Sequence, residues 1–400
     1  MSNGPSFAIT SFHIEDFRGI KNASVEGIPA DTKWIFLTGK NGGGKTSVLQ
    51  ALLVGLESKW DGDTPLESGE FIVNIHAEYK DGSTLNIGEV GENKPIQSWP
   101  RSYHSKGMVL ISRTDNPYLL FIKPVVAYGA NRTQIYTGSI ANEKNIRSRS
   151  LFGRDTTLLN IESEYKNWMY RSSSQELISK DFRLAENLKS RANGLKKLLL
   201  RLMPNLEDIE VDVIEDKVVY FEKDDVGNRI IKPKTFEQLA SGNRSIIAMV
   251  GDMVIRLLDG QPNISDPSDL EGIVLIDELD IHLHPTWQKA LPGLLSEIFP
   301  KIQFISSTHS PIPLLGAPKE SVVLKVHQSS EEGITVEKLD IDLTRLLPNS
   351  LLTSPIFDFE EMIPSANTSL SDLHTEDSFQ EAMANEEIKE RLKKIAQSLK

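Results

Sequence analysis

The sequence predicts an α/β fold in which parallel strands are flanked by helices. Residues 34–38 form an apolar run that is typical of a buried strand, and the apolar residues of 47–56 recur with helical period. Between these two runs, residues 39–46 read GKNGGGKT, which fits the template G-x-x-x-x-G-K-[ST]. A second apolar run, residues 272–276, predicts another buried parallel strand farther along the chain.

The glycine-rich segment predicts a site for a nucleoside triphosphate. Its glycines let the backbone wrap a polyphosphate with N–H groups at a helix N-terminus, where the helix dipole favours negative charge. Lys45 is expected to reach the β- and γ-phosphates of ATP, and the Thr46 hydroxyl to hold Mg²⁺. A glycine-rich turn that matches the template by chance is the alternative, and the flanking strand and helix disfavour it. The predicted ATP-binding residues are Asn41, Gly42, Gly43, Gly44, Lys45, Thr46 and Ser47.

The strand at residues 272–276 ends in two carboxylates, which predict the other half of the site. A buried strand would deliver Asp277 to the Mg²⁺ ion and let Glu278 polarise the attacking water. The apolar run at 302–306 ends in a polar loop that carries His309, which can bond a γ-phosphate oxygen and sense its loss. His282 and His284 are two residues apart on a turn, and this spacing rarely supplies a complete metal site.

Composition excludes several classes of protein. The 400 residues carry 39% hydrophobic and 25% charged residues, which is typical of a globular protein. There is no cysteine, so disulfides, thiolate catalysis and cysteine-based zinc sites are excluded. We find neither an apolar signal-peptide core nor a run of eighteen apolar residues, and we expect a cytoplasmic protein with no membrane contact. The net charge of −12 argues against a general nucleic-acid coat.

The patterning along the chain predicts four segments, at residues 1–135, 136–210, 211–330 and 331–400. The first holds the phosphate loop and β-rich sequence, the second is polar and helical, and the third holds the two later strands. A hairpin is expected over residues 211–231, with its turn at 225–228. The acidic last segment ends in a predicted amphipathic helix, which serves either to pack on its own domain or to dock a partner.

Residues 180–201 form a basic segment that is a candidate surface for DNA or RNA phosphates. The alternative is an ordinary solvated helix face. The segment holds seven basic residues: Lys180, Arg183, Lys189, Arg191, Lys196, Lys197 and Arg201.

Four motifs, in this order along the chain, resemble the nucleotide-binding heads of the ABC ATPase superfamily, and more narrowly the branch with SMC, Rad50, RecF and the OLD-type ATPases. They are the phosphate loop, LASGNR at 239–244, IVLIDE at 273–278 and STHS at 307–310. The opening residues 14–20 are similar to the first strand of such heads. Three further segments resemble the smaller ATPases of bacterial anti-phage systems, such as the Septu ATPase PtuA: residues 128–132, 283–288 and 351–357.

The resemblance implies a P-loop ATPase head with a mixed sheet, and a helical arm or insertion between the phosphate loop and the signature motif. It also implies ATP sites that are shared between two subunits of a homodimer or of a higher even-numbered oligomer. One subunit would contribute Lys45, Thr46, Asp277, Glu278 and His309, with Gln134 as a weaker candidate; the other would contribute Ser241 and Gly242 at the start of its signature helix. The chain departs from the family pattern at Ala240, where a serine is usual, and at His284, where many members have an aspartate.

The predicted function is an ATP-hydrolysing sensor or regulator of a separate effector, a nuclease or toxin, in anti-phage defence. The alternative is a DNA repair or recombination ATPase of the RecF or SMC type. A transporter ATPase subunit and an AAA+ motor are disfavoured, because the predicted motifs lie too far apart along this chain. The insertion shows no sustained heptads, so a long coiled-coil arm is not expected.

Overall fold

A computed structural model describes most of the chain up to residue 357. The described residues are 4–57, 70–92, 101–105, 108–112, 124–132, 134–135, 149–152, 157–224, 226–281, 283–346, 348–357, 385, 388 and 391. The chain divides into two compact units, Met1–Asp358 and Phe359–Lys400. In the second unit Asn385, Ile388 and Arg391 are helical; the rest of the predicted amphipathic helix lies outside the described residues. The division into four segments stays a prediction.

A mixed twelve-stranded sheet organises the first unit. Its strands are β1 (Phe7–Phe17), β2 (Ile20–Val25), β3 (Trp34–Thr38), β4 (Glu70–Tyr79), β5 (Thr84–Glu92), β6 (Arg101–Ser105), β7 (Met108–Ser112), β8 (Val125–Tyr128), β13 (Gly272–Ile276), β14 (Ile302–Ser307), β15 (Val322–Ser329) and β16 (Gly333–Leu339). Two further pairs stand apart, β9 (Gln134–Ile135) with β10 (Thr157–Leu158), and β11 (Leu206–Asp212) with β12 (Lys217–Glu222).

Helices cover both faces of this sheet. They are α1 (Lys45–Glu57), α2 (Ile161–Ser172), α3 (Gln175–Lys180), α4 (Phe182–Leu202), α5 (Ser241–Asp259), α6 (Pro285–Ile298) and α7 (Pro348–Leu352). Among the described residues, none of the helices is long and apolar enough to cross a membrane.

The strand order is β7-β6-β5-β4-β1-β2-β16-β15-β3-β14-β13-β8. Strands β15, β3, β14, β13 and β8 run parallel to one another, and the other pairings are antiparallel. The predicted α/β class, with a mixed sheet flanked by helices, is therefore confirmed. Because the parallel strands share a direction, the segments that follow β3, β13, β14 and β8 all begin at one edge of the sheet.

The central strands are buried on both faces, which explains why they read as continuous apolar runs. Along β3, Trp34 and Phe36 belong to the core beneath α5 and α6, whereas Ile35 and Leu37 belong to the core beneath α1. The indole of Trp34 stacks on Phe36 at a centroid distance of 5.2 Å and on Phe304 of β14 at 4.7 Å. Each such side chain contributes about 1.5–3 kcal/mol on burial.

Helices α2 and α4 pack against α5 and belong to the same core. Ala192, Leu195 and Leu202 of α4 are fully buried there, together with Trp168 of α2. These residues follow the helical period, so the polar segment predicted as an arm or insertion is held by an apolar stripe.

The hairpin over residues 211–231 differs from the prediction. The main pairing is between β11 and β12 around a turn at residues 213–216, and the chain turns back a second time at 224–228. The Asp212 carboxylate accepts the backbone N–H groups of Ile214 and Glu215, which stabilises the first turn. The sequence interpretation gave more weight to Gly227, whose positive φ of 93° belongs to the second turn.

A buried glutamate lies where α2 meets β12. Glu162 hydrogen-bonds Tyr220, while its Oε1 is buried and has no hydrogen-bond partner among the described residues. Burial, together with the nearby Glu237 carboxylate, raises the pKa of Glu162 to about 7. Because the proton is held more tightly in the folded state than in the unfolded chain, this carboxyl stabilises the fold at low pH and loses that contribution as pH rises toward 7.

Glu162→Gln is therefore expected to raise the stability more at pH 8 than at pH 5. The amide still accepts the Tyr220 hydroxyl but carries no charge, so the gain at pH 8 should be on the order of 2 kcal/mol. Thermal melts at the two pH values measure it. Glu186→Gln, at an exposed position on α4, is the matched control. An equal shift for Glu162→Gln at both pH values would contradict the assignment.

Candidate nucleotide site

The backbone conformation of the loop at residues 39–44 requires glycine at more than one position. Gly39 has φ of 137°, and a Cβ there would overlap the carbonyl oxygen of Val326 on β15. Gly44 has φ of 98°, and a Cβ there would overlap the side chain of Ile334 on β16. The loop is therefore pressed against β15 and β16, and its positive φ values disfavour every residue with a side chain.

Lys45 is the first residue of α1, and its ammonium group folds back over the loop. Nζ donates to the carbonyls of Gly39 and Lys40, each at 2.9 Å, and lies 3.3 Å from Nδ1 of His309. Burial lowers the pKa of Lys45, and the nearby carboxylates Asp277 and Glu278 oppose this shift. The result is a fixed cation beside the first-turn N–H groups of α1, which suits a polyphosphate.

The carboxylate of Asp277 joins the loop to the neighbouring strands. Its Oδ2 accepts the hydroxyl of Thr46 at 2.8 Å, and its Oδ1 accepts the hydroxyl of Ser307, at the end of β14, at 2.6 Å. Thr46 and Asp277 thus present two oxygen atoms side by side. Such a pair suits Mg²⁺, which usually keeps several waters and takes few protein ligands besides the substrate phosphates.

Glu278 follows Asp277 directly and has an unusual backbone conformation. Its φ is 50°, in the left-handed region, which costs about 1–2 kcal/mol for a residue with a Cβ. Its N–H donates to Ser307 Oγ at 2.7 Å. Strain of this kind persists where the surrounding structure holds it, and it is common at active sites.

His309 lies next to Lys45, as the sequence interpretation expected of a group near the phosphates. Its pKa is lowered by burial and by the positive charge of Lys45, so the imidazole is neutral at neutral pH. Because Lys45 can only donate, Nδ1 of His309 is its acceptor and the proton resides on Nε2. That N–H can donate to a phosphate oxygen.

Residues that the sequence reasoning did not assign hold the His309 loop in place. The Asp280 carboxylate accepts the Thr308 hydroxyl at 2.6 Å and the His309 N–H at 3.3 Å. Gln288 accepts the Ser310 hydroxyl at 3.0 Å and donates to the carbonyl of Asp280 at 3.0 Å. Gln288 belongs to the segment 283–288 noted in the sequence, but its contact with the loop requires the folded chain.

The remaining predicted site residues lie around this cluster. Asn41 and Gly42 are exposed at the loop apex, and Ser47 is half-buried in the first turn of α1. Gln134 lies in β9, and its side chain is outside the described part of the chain.

Ser241 and Gly242 begin α5. Among the described residues, neither of them forms a hydrogen bond with the phosphate loop. Ala240 is the N-cap of α5 and supplies no side-chain cap. Within one chain, hydrogen bonds join the residues of the phosphate loop to Asp277 and His309, and among the described residues none joins the loop to Ser241 or Gly242.

Of the two histidines considered for a metal site, the structure describes only His284. His284 is the N-cap of α6, where Nδ1 accepts the N–H of Thr286 at 3.3 Å, and His282 lies outside the described residues. Within the part of the chain that the structure describes, no group of three or more histidine or acidic side chains could hold a metal ion. The predicted Mg²⁺ site differs from such a group, because phosphate oxygens of ATP would supply some of its ligands.

The basic segment 180–201 is less free than its sequence indicates. Arg191 donates to the carbonyls of Pro262 and Ile264, Lys196 pairs with Asp208, and Arg201 pairs with Glu297. Three exposed basic residues of α4 have no such contact with the part of the chain that the structure describes: Arg183, Lys189 and Lys197. A nucleic-acid surface on α4 would rest on these residues.

The amino-acid sequence of this chain is similar to those of several known proteins. A family profile described as "AAA domain, putative AbiEii toxin, Type IV TA system" matches residues 143–313. The Septu protein PtuA of Bacillus mycoides (strain KBAB4) is 27% identical over 366 residues, which cover 90% of this chain and 46% of that protein. The Retron Vc95 probable ATPase of Vibrio cholerae serotype O1 biovar El Tor is 45% identical over 84 residues, 21% of this chain and 16% of that protein. The chain is therefore similar in sequence to a Septu protein and to probable retron ATPases.

Two solved structures are also similar to this chain. The SMC head bound to the C-winged helix domain of ScpA has a TM-score of 0.48 and 13% identity, and the similarity covers 83% of this chain and 97% of that one. The recombination mediator protein RecF has a TM-score of 0.44 and 12% identity, with 85% and 100% covered. The chain spans less than half the length of the curated relatives that it matches.

Ser307→Ala is expected to lower Mg²⁺-dependent ATP turnover by about 10–100-fold, because it leaves Asp277 Oδ1 and the Glu278 N–H without their partner. Steady-state turnover measured across a Mg²⁺ titration tests this. The matched control is Ser306→Ala, since Ser306 is equally buried but its hydroxyl has no hydrogen-bond partner within the described ranges. Equal activity of the two variants would show that Ser307 does not support the site.

Proposed function

We propose that this chain binds MgATP between two copies of itself, hydrolyses it, and uses this cycle to control a separate effector in anti-phage defence. The observation that supports the proposal is the pattern of hydrogen bonds within one chain. The phosphate loop, Asp277, Glu278 and His309 lie together, whereas the start of α5 forms no hydrogen bond with the loop among the described residues. A second copy would supply the missing helix terminus.

The N-terminus of α5 is suited to this role. Ser241 is exposed and Gly242 is partly exposed, and Ala240 does not cap the first-turn N–H groups with a side chain. Free N–H groups at a helix start carry partial positive charge and favour an anion. A Cβ added at Gly242 would meet only Trp287 Cδ1, at 3.9 Å. Gly242 is therefore not tightly packed on the side where a Cβ would lie, and we propose that a γ-phosphate from another copy binds at this helix start.

The chemistry proposed for the site follows from its own residues. Lys45 and the loop N–H groups bind and orient the phosphates, and Mg²⁺ held by Thr46 and Asp277 would neutralise charge on the β- and γ-oxygens. Glu278 orients and polarises the attacking water. His309, neutral and protonated on Nε2, donates to the γ-phosphate and loses that contact after hydrolysis.

The proposed role in defence and the proposed effector partner rest on the similarity to the relatives. Those relatives are named as a Septu protein and as retron ATPases. We propose that closed and open dimers hold or release an effector such as a nuclease or toxin. The alternative is a DNA repair or recombination ATPase. Tight binding of duplex DNA that depends on ATP and falls steeply with salt, in the absence of any partner chain, would favour that alternative.

Comparison of two variants tests the dimer directly. Lys45→Ala removes the cation that binds the phosphates and is expected to stay open with ATP. Glu278→Gln keeps binding but loses turnover, so it is expected to accumulate as a closed dimer with ATP. Sedimentation or light scattering with and without MgATP distinguishes the two. Identical behaviour of both variants would contradict the proposed cycle.

A complementation experiment tests whether the site is shared. Lys45→Ala and Gly242→Asp should each be inactive alone, the second because a carboxylate would face the γ-phosphate. In an equal mixture, heterodimers hold one site with both Lys45 and Gly242 intact, so turnover should recover to roughly a quarter of the unsubstituted value. No recovery, with mixed dimers shown to form, would place the whole site within one chain.

A further inference from the structure

The segment YGANR at residues 128–132 follows β8 and lies beside the ends of the catalytic strands. The sequence singled it out as a resemblance, and no role in ATP binding or hydrolysis follows from that resemblance alone. Its arginine, Arg132, is only partly exposed, and its guanidinium points at the backbone that carries the two acidic residues.

The guanidinium of Arg132 forms a fork on two consecutive carbonyls. Nη1 donates to Asp277 O at 2.6 Å, and Nη2 donates to Glu278 O at 2.7 Å. Nη1 also donates to Gly129 O at 3.1 Å, which fixes the side chain to its own loop. These two carbonyls bracket the φ and ψ angles of Glu278, so the fork constrains the backbone of that residue.

Tyr128, the first residue of the same segment, contacts the backbone N–H of Asp277. The N–H of Asp277 donates to Tyr128 O at 2.8 Å. The Tyr128 hydroxyl donates to the fully buried Asp252 of α5 at 2.6 Å, and Arg256 donates to the same carboxylate oxygen at 2.7 Å. The segment is therefore hydrogen-bonded to the buried core through Tyr128. At its other end, Arg132 is hydrogen-bonded to the backbone of the acidic pair.

The charges around Arg132 show why a cation is tolerated there. Burial lowers the pKa of Arg132 to about 10, opposed by the carboxylates of Asp277, Asp280 and Glu278. The side chain stays charged at neutral pH, and charge strengthens its hydrogen bonds to the carbonyls. A lysine would supply one point charge without the planar fork, so it could not hold both carbonyls in the same way.

We propose that Arg132 is a positioning residue that holds Glu278 in its left-handed conformation and so aims its carboxylate at the attacking water. The conformation with φ of 50° is unfavourable for glutamate and needs support from its surroundings. Arg132 holds the carbonyls on both sides of Glu278, and Ser307 holds its N–H. The role rests on the proposed hydrolysis, because it acts through Glu278.

The test compares Arg132→Lys and Arg132→Ala with the unsubstituted protein. Loss of the fork should lower kcat by about tenfold in Arg132→Lys and by about 100-fold in Arg132→Ala, the scale of effect that a misplacement of about 1 Å has on an aligned group. ATP affinity should stay within about threefold, because the phosphate loop and Lys45 are untouched. If Arg132→Ala does not fold, Arg132→Lys decides the question.

Arg191→Lys is the matched control. Arg191 also spans two backbone carbonyls, at Pro262 and Ile264, but on α4 and away from the acidic pair. Its substitution should leave kcat unchanged. A thermal melt of this variant measures the loss of stability that follows when such an arginine is replaced by lysine. An equal loss of kcat in both variants would overturn the positioning role.

A double variant separates positioning from general support of the fold. If Arg132 acts through Glu278, adding Arg132→Lys to Glu278→Gln should not lower the residual turnover further. A further tenfold loss would overturn the inference, as would normal kcat in Arg132→Lys alone. An unsubstituted protein that binds ATP but never hydrolyses it would instead overturn the proposed hydrolysis.

Discussion

The carboxylate of Asp277 is the point on which the arrangement of the site depends. It accepts hydrogen bonds from Thr46, which follows the phosphate loop, and from Ser307, at the end of β14. Its backbone is held from the β8 side by Tyr128 and Arg132. A buried carboxylate must have partners, because an unpaired charge in the protein interior is very unfavourable. The carboxylate therefore ties the end of β13 to the start of α1 and to the end of β14, and the backbone of the same residue ties it to the segment after β8.

The other parts of the site within one chain are held by further contacts of the same kind. The phosphate loop cannot accept side chains at Gly39 or Gly44, and Lys45 is tied to two loop carbonyls. The His309 loop is tied in turn to Asp280. By contrast, the start of α5 presents exposed residues and an uncapped turn. This contrast is the reason for proposing that MgATP binds between two copies of the chain.

Charged residues in this chain illustrate how packing changes the meaning of a sequence pattern. Counted along the sequence, α4 reads as a basic surface, yet Arg191, Lys196 and Arg201 are occupied within the molecule. Arg132, which stands alone in the sequence, lies against the acidic pair. The number of charged residues in a segment is therefore a poor guide to whether that segment binds a ligand. The contacts that each charged side chain makes within the fold are a better one.

The sequence by itself determined the features that depend on near neighbours. The strand, glycine loop and helix at residues 34–57 are a local unit, and the run at 272–278 shows a buried strand with two acids at its end, so both could be predicted. The turn predicted near Gly227 is present, but the sequence reasoning missed the earlier turn between β11 and β12, which contains no glycine and is stabilised by the Asp212 side chain.

Only the tertiary structure decided which distant residues serve the site. The contacts of Ser307, Gln288 and Arg132 with the acidic pair and the His309 loop join segments far apart in the chain. They arise because parallel strands bring their ends to one edge of the sheet, whatever their separation in sequence. The left-handed backbone of Glu278 is likewise a property of the hydrogen bonds around it, since glutamate has no preference of its own for that conformation.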